Sequence, residues 1–273
     1  MIPKIIHYCW FGKGLMPQSQ KKCIEGWKKL MPDYEIMRWD ESNFDYTKFK
    51  ASRYAYEMKK YALVSDVCRY NVLAEHGGIY LDTDVELYQR LDRFLDCNFF
   101  SAIELYQSQF EEEGLDLLDE DGNPLVPGTE IPNFEMLTST LACAPQQEMI
   151  IALRDFYNTI DADAEYALNY RHYVDNDRLV AKYAALRGFR YVNETQRFGD
   201  GMVVYGTGIF GYKSCPGNKY EVSYHYNAAT WRKKGEIPRS EQRRLILDKL
   251  GLLDLYNGIK AKKNWLKQLF RKV

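Results

Sequence analysis

Two aspartates separated by one residue, Asp82 and Asp84, are the residues of this sequence whose types and spacing best suit a metal ion. Alternate side chains of an extended strand lie on one face, so both carboxylates are predicted to project together with Tyr80. Two converging carboxylates repel each other unless a cation lies between them. Because Mg²⁺ and Mn²⁺ prefer oxygen ligands and leave positions open for phosphates, the pattern predicts a Mg²⁺ or Mn²⁺ site at a strand end.

A second pair, Asp66 and Arg69, precedes this strand in a segment predicted to be helical. Residues three apart on a helix share a face. An arginine there can bind a phosphate or a sugar hydroxyl, and an aspartate can accept hydrogen bonds from sugar hydroxyls. The alternative is an ion pair within the helix. The pair becomes more specific because Gly-Gly-x-Tyr-x-Asp-x-Asp follows it at residues 77–84.

Two further candidates lie far apart in the sequence. Trp10 ends an apolar run and is either a core residue or a flat surface on which a base can stack. His225 lies in a tyrosine-rich alternating segment and is either a structural residue or a contact to metal or diphosphate. The run 175–177, Asp-Asn-Asp, is typical of a helix cap and is predicted to lie at the rim of the site.

These residues must be positioned by strands that end at a common edge. The predicted strands are Ile2–Trp10, Tyr34–Trp39, Ile79–Val85, Phe99–Ile103, Ser139–Ala144, Phe189–Val192, Met202–Tyr205 and Val222–Tyr226. The predicted helices are Pro17–Leu30, Tyr54–Glu75, Gln146–Ile160 and Asp177–Leu186. Strands that alternate with helices predict an α/β sheet, with ligands at the carboxyl ends of the strands.

Two segments depart from this pattern. Residues 111–133 are acidic, contain three prolines and lack periodicity, which predicts either a long surface loop, such as a lid, or a disordered insertion. Residues 239–273 carry ten Lys and Arg against three Asp and Glu. They include a basic amphipathic helix, predicted either to lie on an anionic membrane surface or to pack on the domain. The predicted domain therefore spans residues 1–238, with a helical tail at 239–273.

Composition excludes some classes of protein. The formal net charge of −1 provides no overall positive field for nucleic acid, so no nucleic-acid partner is expected. No apolar run is long enough to span a bilayer, and no signal peptide is recognised. Because the six cysteines are scattered, we expect a reduced, cytoplasmic protein. The aromatic content of 15% suits sites that bind sugars and bases.

Four segments of the sequence resemble the DXD-containing glycosyltransferases of family 32. They are residues 2–12 (IPKIIHYCWFG), 65–70 (SDVCRY), 77–85 (GGIYLDTDV) and 225–231 (HYNAATW). That family includes bacterial capsular and lipopolysaccharide sugar transferases and fungal initiating α-mannosyltransferases. The glucosyltransferase domains of large clostridial cytotoxins resemble it more distantly. Thr230 stands where a serine is common, and residues 104–213 match poorly, so the resemblance does not extend to an acceptor site.

The resemblance implies a GT-A fold, a Rossmann-like nucleotide-binding sheet, with a nucleotide-sugar donor, a divalent metal and retention of anomeric configuration. It implies that Trp10 stacks on the donor base and that Asp66 and Arg69 hold the donor sugar and ribose. It also implies metal ligation by Asp84 and closure over the diphosphate by His225 and Trp231. The predicted catalytic residues are Asp66, Arg69, Asp82 and Asp84, and the predicted metal ligands are Asp82, Asp84 and His225. The predicted donor-binding residues are His7, Trp10, Asp66, Arg69, Tyr80, Asp82, Thr83, His225 and Trp231.

The predicted function is metal-dependent, retaining transfer of a sugar to a glycan or lipid-linked acceptor in bacterial surface polysaccharide synthesis. The expected donor is a UDP-sugar, with a GDP-sugar as the alternative. Membrane contact of the tail would place the enzyme on the inner face of the cytoplasmic membrane. Two other functions remain open: a sugar-phosphate transferase or hydrolase that uses the same acidic pair, and a carbohydrate-binding protein with an inactive site.

Overall fold

The computed structural model describes residues 1–163, 175–211 and 222–226 of the chain. Its strands are β1 Ile5–Cys9, β2 Glu35–Trp39, β3 Gly78–Leu81, β4 Val85–Leu87, β5 Phe99–Leu105, β6 Phe134–Met136, β7 Thr140–Cys143, β8 Gln196–Phe198, β9 Met202–Tyr205 and β10 Ser223–His225. Its α-helices are α1 Gln18–Leu30, α2 Lys50–Glu57, α3 Tyr61–His76, α4 Gln107–Glu113, α5 Glu148–Thr159 and α6 Asn176–Ala185. Short 3₁₀ helices cover Tyr46–Lys48, Asp92–Phe94 and Leu115–Leu117.

Eight strands form one mixed sheet in the order β2-β1-β3-β7-β5-β9-β8, with β6 paired to β5. Strand β1 runs parallel to β2 and β3, and β5 runs parallel to β9. Strand β7 runs antiparallel to both β3 and β5, so β1, β2, β3, β5 and β9 all point the same way. Their carboxyl ends therefore share one edge of the sheet, as the sequence predicted. The α/β class of the predicted GT-A fold is confirmed.

Helices cover both faces of this sheet and form two apolar cores. Ile79 and Leu81 of β3 belong to the core that contains the fully buried Trp27 of α1. Tyr80 belongs to the opposite core, with residues of α3 and α5. The alternation predicted for this strand is therefore confirmed up to Leu81, and burial of both faces fixes the register of β3. A rigid strand thus leads directly into the acidic pair.

Two predicted elements were wrong. The single helix predicted over Tyr54–Glu75 is divided into α2 and α3, because Lys59 adopts a left-handed backbone conformation with φ of 58°. The strand predicted over Phe189–Val192 is irregular, and β8 follows it instead. The Gln196 side chain explains the irregular backbone, since it bonds to N and O of Arg190 and to O of Val192 at 2.8–3.0 Å.

The acidic segment 111–133 begins in the last turn of α4 and continues into the 3₁₀ helix Leu115–Leu117. A bridge between Leu118 and Pro124 closes a turn, and Ile131 is buried in the core with only 1% exposed. Among the described residues, no helix is both long and apolar enough to cross a membrane. The predicted basic tail and Trp231 lie outside the described residues.

Candidate functional site

The acidic pair lies in a turn at the common strand edge, not in the extended strand that was predicted. Strand β3 ends at Leu81, and β4 begins at Val85. The Val85 amide donates to the Asp82 carbonyl at 3.0 Å, which closes residues 82–85 as a β-turn. The Asp82 amide donates to the Ser139 carbonyl at 2.9 Å, so the turn remains attached to the sheet. The prediction erred because the apolar alternation continues through Thr83 and Val85 while the backbone reverses.

His225 brings the two carboxylates together from the far end of the described chain. Strand β10 pairs with β4 so that His225 lies opposite Val85. The His225 Nε2 atom lies 3.3 Å from Asp84 Oδ1 and 3.8 Å from Asp82 Oδ2. Burial alone would lower the pKa of this imidazole, but the carboxylates of Asp84 and Asp82 raise it to about 9. The three side chains therefore form one coupled charge cluster.

This cluster has the composition of a divalent-cation site. One ligand atom from each of Asp82, Asp84 and His225 lies within 4.8 Å of the others. Two carboxylate oxygens and one imidazole nitrogen on a partly exposed turn fit a cation that keeps further positions for substrate oxygens. The donor set therefore fits the metal that the sequence predicted, and these three residues are the ones that would hold it.

Arg69 connects the acidic turn to α3. Its Nη2 atom lies 3.2 Å from Asp82 Oδ1 and 3.4 Å from Asp66 Oδ1, and its guanidinium carbon lies 4.2 Å from the centre of the Tyr80 ring. The side chain is only 5% exposed. Its Nε and Nη1 atoms are buried and find no hydrogen-bond partner among the described residues. Arg69 therefore holds the side chains of Asp66 and Asp82 in place, and its Nε and Nη1 groups remain as donors beside them.

Asp66 is positioned by Asn176, which the sequence predicted only as part of a helix cap. Asn176, the first residue of α6, donates from Nδ2 to Asp66 Oδ1 at 3.0 Å. The hydroxyls of Tyr70 and Tyr157 donate to Asn176 Oδ1 at 2.6 and 3.1 Å. The predicted cap is confirmed, because the Asp175 side chain accepts from the Arg178 amide. The amino end of α6 thus reaches the site.

Three predicted donor-binding residues are buried under the site. His7 is fully buried, receives the indole N–H of Trp39 on Nδ1 at 3.0 Å, and bonds through Nε2 to the Gly77 carbonyl at 2.8 Å. Both ring nitrogens are therefore occupied within the protein, which corrects the assignment of His7 to the donor. Tyr80 is 2% exposed and lies against Arg69, and Thr83 is 9% exposed, so both support the turn.

Trp10 lies in a glycine-containing loop that follows β1 at the same edge. Its amide donates to the Trp39 carbonyl, and its indole N–H donates to the Gly14 carbonyl at 2.8 Å. The Gly12 amide donates to Glu41 Oε1 at 2.6 Å. The indole is half-buried, so one part of its surface remains available to a ligand.

Replacing Gly12 with alanine is expected to destabilise the protein by about 2–3 kcal/mol, because its φ of +95° is unfavourable for a side chain and an added Cβ would overlap the Tyr61 ring. The free energy of unfolding in urea measures this loss. Gly14→Ala is the matched control, since an added Cβ there meets no atom within 4 Å. Equal stability of the two variants would contradict the loop geometry.

Comparison with known proteins identifies the central segment. Residues 17–100 match the family model described as "Glycosyltransferase sugar-binding region containing DXD motif". Inositol phosphoceramide mannosyltransferase 3 of Schizosaccharomyces pombe is 36% identical over 105 residues, which cover 34% of this chain and 27% of that protein. Uncharacterized glycosyltransferase L373 of Acanthamoeba polyphaga mimivirus is 35% identical over 106 residues, which cover 37% of this chain and 42% of that protein. Less than half the length of either relative is therefore matched.

Solved structures of glycosyltransferases give weaker matches. The match to an active-site mutant of LgtC has a TM-score of 0.42 and 13% identity, and it covers 88% of this chain and 93% of the LgtC chain. The PaToxG glycosyltransferase has a TM-score of 0.41 and 15% identity, and covers 68% of this chain and 67% of its own. The sequence match is the stronger finding, because it contains the acidic turn and the Arg69 helix. Residues 17–100, less than a third of the chain, are therefore similar to glycosyltransferase sugar-binding regions that contain a DXD motif.

Proposed function

We propose that this chain is a metal-dependent glycosyltransferase of the GT-A type, which transfers a sugar from a nucleotide-sugar donor to a saccharide acceptor. The observation that carries the proposal is the convergence of Asp82, Asp84 and His225 at the carboxyl edge of the sheet, beside Arg69. The match of residues 17–100 to a DXD glycosyltransferase region supports it independently.

We assign the metal to Mn²⁺, with Mg²⁺ as the alternative. Asp82 and Asp84 offer oxygen ligands that either ion accepts, but Mg²⁺ rarely takes nitrogen, and His225 supplies one. When bound, the cation would neutralise charge on the diphosphate as it departs. His225 also has a structural role, since it lies on β10, which pairs with β4 next to the acidic turn.

The remaining residues bind and orient the donor. Asp66 accepts hydrogen bonds from donor sugar hydroxyls, and Arg69 fixes the carboxylates of Asp66 and Asp82 in their relative positions. Trp10 stacks on the base with the exposed part of its indole. The predicted role of Trp231, closure over the diphosphate, stays a prediction.

The transfer itself requires no basic side chain. In a retaining reaction on one face of the sugar, the bond between the anomeric carbon and the phosphate oxygen breaks as the acceptor oxygen bonds to that carbon. The acceptor proton passes to the departing phosphate oxygen. Retention is part of the proposal and is what the resemblance to the DXD-containing glycosyltransferases of family 32 implies.

The donor sugar and the acceptor are proposed only as chemical classes. Two relatives named as mannosyltransferases make a GDP- or UDP-linked mannose the first donor to examine, beside other UDP-sugars. A glycan or lipid-linked saccharide is the proposed acceptor. Bacterial surface polysaccharide as the product, a cytoplasmic location and membrane contact of residues 239–273 stay predictions.

Donor binding and product analysis test this function. UDP-, GDP- and CMP-sugars are screened by thermal shift with and without Mn²⁺. The matching donor at about 100 times its Kd is expected to raise the melting temperature by about 5–10 °C, because binding adds about 2.7 kcal/mol. That donor, Mn²⁺ and methyl hexosides should then yield a disaccharide glycoside that disappears with EDTA.

The products separate the alternatives. Free sugar as the main product would indicate a hydrolase, and sugar phosphate a sugar-phosphate transferase. Absence of Mn²⁺-dependent binding for every nucleotide sugar would favour a carbohydrate-binding protein with an inactive site, and would contradict the proposal.

A further inference from the structure

A cavity of about 180 Å³ lies at the carboxyl ends of β5 and β9, next to the proposed donor site. Glu104, Tyr106 and Thr207 contribute polar groups to its wall, and Leu137 and Phe210 contribute apolar surface. The poor match of residues 104–213 to the resembled family left this region without a sequence-based assignment. None of these five residues takes part in the donor site described above.

Two observations place the cavity beside the reacting end of the donor. On one side, the His225 amide donates to the carbonyl of Gly211 at 2.9 Å, and Gly211 directly follows Phe210 of the cavity wall. On the other side, one carboxylate oxygen each of Glu104, Glu135 and Asp177 lies within 4.8 Å of the others. Asp177 adjoins Asn176, which donates to Asp66 at 3.0 Å. The cavity therefore lies between His225, which it approaches through Phe210, and the Asp66 carboxylate, which it approaches through Glu104 and Asp177.

The walls of the cavity match the chemistry of a sugar ring. A pyranose has an apolar face of C–H groups, which packs on aromatic and aliphatic surface such as Phe210 and Leu137. Its edge carries hydroxyls, which donate well to a carboxylate such as Glu104 and also bond to a hydroxyl such as Thr207. Apolar walls with a few polar groups are the usual composition of small-molecule sites.

The charge around the cavity narrows the class of ligand. Glu104, Glu135 and Asp177 place three carboxyl groups together, and Arg178 balances Glu135 through a 3.0 Å contact. Thr138 donates to Asp177 through its amide and its hydroxyl, so these two hydrogen-bond partners of Asp177 are uncharged. Burial, and then repulsion from neighbouring carboxylates, raise the pKa of Glu135 to about 7 and the pKa of Asp177 well above its usual range. Because the surroundings of Glu104 already disfavour negative charge, an acidic sugar would be repelled there.

We propose that this cavity is the acceptor subsite and that it takes a neutral, hydroxyl-bearing sugar in preference to a uronic or other acidic sugar, with Glu104 accepting an acceptor hydroxyl. The inference rests on the proposed function, which it deepens by naming the acceptor class. Glu104 binds the acceptor, while the buried Glu135 and the partly buried Asp177 are the acidic groups beside it.

Acceptor specificity of the full chain tests the subsite. Initial rates are measured with the donor found by screening, Mn²⁺, and methyl hexosides or methyl hexuronides as acceptors. Wild type is expected to prefer the neutral glycosides at least about tenfold. Glu104→Gln should raise the acceptor KM about 5- to 10-fold, since a charge-assisted hydrogen bond becomes a weaker neutral one, and should reduce the discrimination against hexuronides. Thr207→Val should raise the acceptor KM less. Neither substitution should change the donor KM more than about twofold.

Asp116→Asn is the matched control, because Asp116 is an exposed acidic residue outside the cavity. Unchanged acceptor KM in both cavity variants, equal use of hexuronides by wild type, or a donor KM that rises with the acceptor KM would overturn the inference. Saturation-transfer NMR with the same methyl glycosides detects binding of the acceptor to the cavity in the absence of a donor. Hexoside signals that weaken in Glu104→Gln would support the subsite even if transfer failed, and their absence in wild type would contradict it.

Discussion

Alanine in place of Asp84 is expected to lower the rate of glycosyl transfer by about 100- to 1,000-fold and to remove its dependence on Mn²⁺. Asp84 Oδ1 lies 3.3 Å from His225 Nε2 and is one of three converging ligand atoms. Its loss leaves one carboxylate and one imidazole, too few to hold the cation against water, and removes charge stabilisation from the departing diphosphate. Initial rates at increasing Mn²⁺ concentration measure the effect.

Two controls separate this effect from unfolding. Asp116→Ala removes an exposed carboxylate of the acidic segment and should retain the wild-type rate. The melting temperature of Asp84→Ala without metal should fall by only about 2–5 °C, because Asp82 still lies near His225 and the Trp27 indole still donates to the Val85 carbonyl next to the turn at 2.8 Å. A variant that transfers sugar at nearly the wild-type rate would remove Asp84 from the metal site.

Replacing Arg69 with leucine is expected to destabilise the protein by about 3 kcal/mol and to abolish donor binding. The substitution removes the cation from two carboxylates, Asp66 and Asp82, whose oxygens lie 3.4 and 3.2 Å from Nη2. Removal of one member of a buried ion pair is costly, since the remaining charge is left without compensation. The free energy of unfolding in urea and the thermal shift with the matching donor measure the two effects.

A surface ion pair provides the matched control. Arg190 lies 3.2 Å from Glu194, but both side chains are about half exposed, so Arg190→Leu should cost less than about 1 kcal/mol. Arg69→Lys should recover part of the stability, because it restores the charge, but less of the donor binding, because one ammonium cannot reproduce the planar guanidinium. Equal losses at Arg69 and Arg190 would contradict a central supporting role for Arg69.

Much of the fold and the donor half of the site follows from local patterns in the sequence. The apolar face of β3, with Ile79 and Leu81, and the position of Asp82 at a strand end were predictable, whereas the burial of Tyr80 on the other face was not. Asp66 and Arg69 share a helix face because of their spacing, and the structure directs both to the turn. His225 was a candidate because residues 225–231 resemble the closing segment of the family, although its partner strand could not be named.

What the sequence could not show depends on contacts between distant residues or on single backbone conformations. Nothing in residues 58–60 of the sequence indicates the break between α2 and α3 at Lys59. His7 has the residue type of a ligand, and only the distant Trp39 and Gly77 show that its nitrogens are occupied. Glu104 and Glu135 meet because β5 pairs with β6 across an irregular segment, which no local pattern predicts.

The central claim is that Asp82, Asp84 and His225 hold the metal of a sugar transferase, and direct Mn²⁺ binding tests it most closely. Electron paramagnetic resonance measures free Mn²⁺ while the full chain is titrated in the presence of UDP or GDP. Beyond the Mn²⁺ that the nucleotide alone binds, wild type is expected to bind one Mn²⁺ per chain, and Asp84→Ala should leave the signal of free Mn²⁺ close to that of the nucleotide alone. Wild type that binds no Mn²⁺, or a variant that binds it as wild type does, would contradict the account.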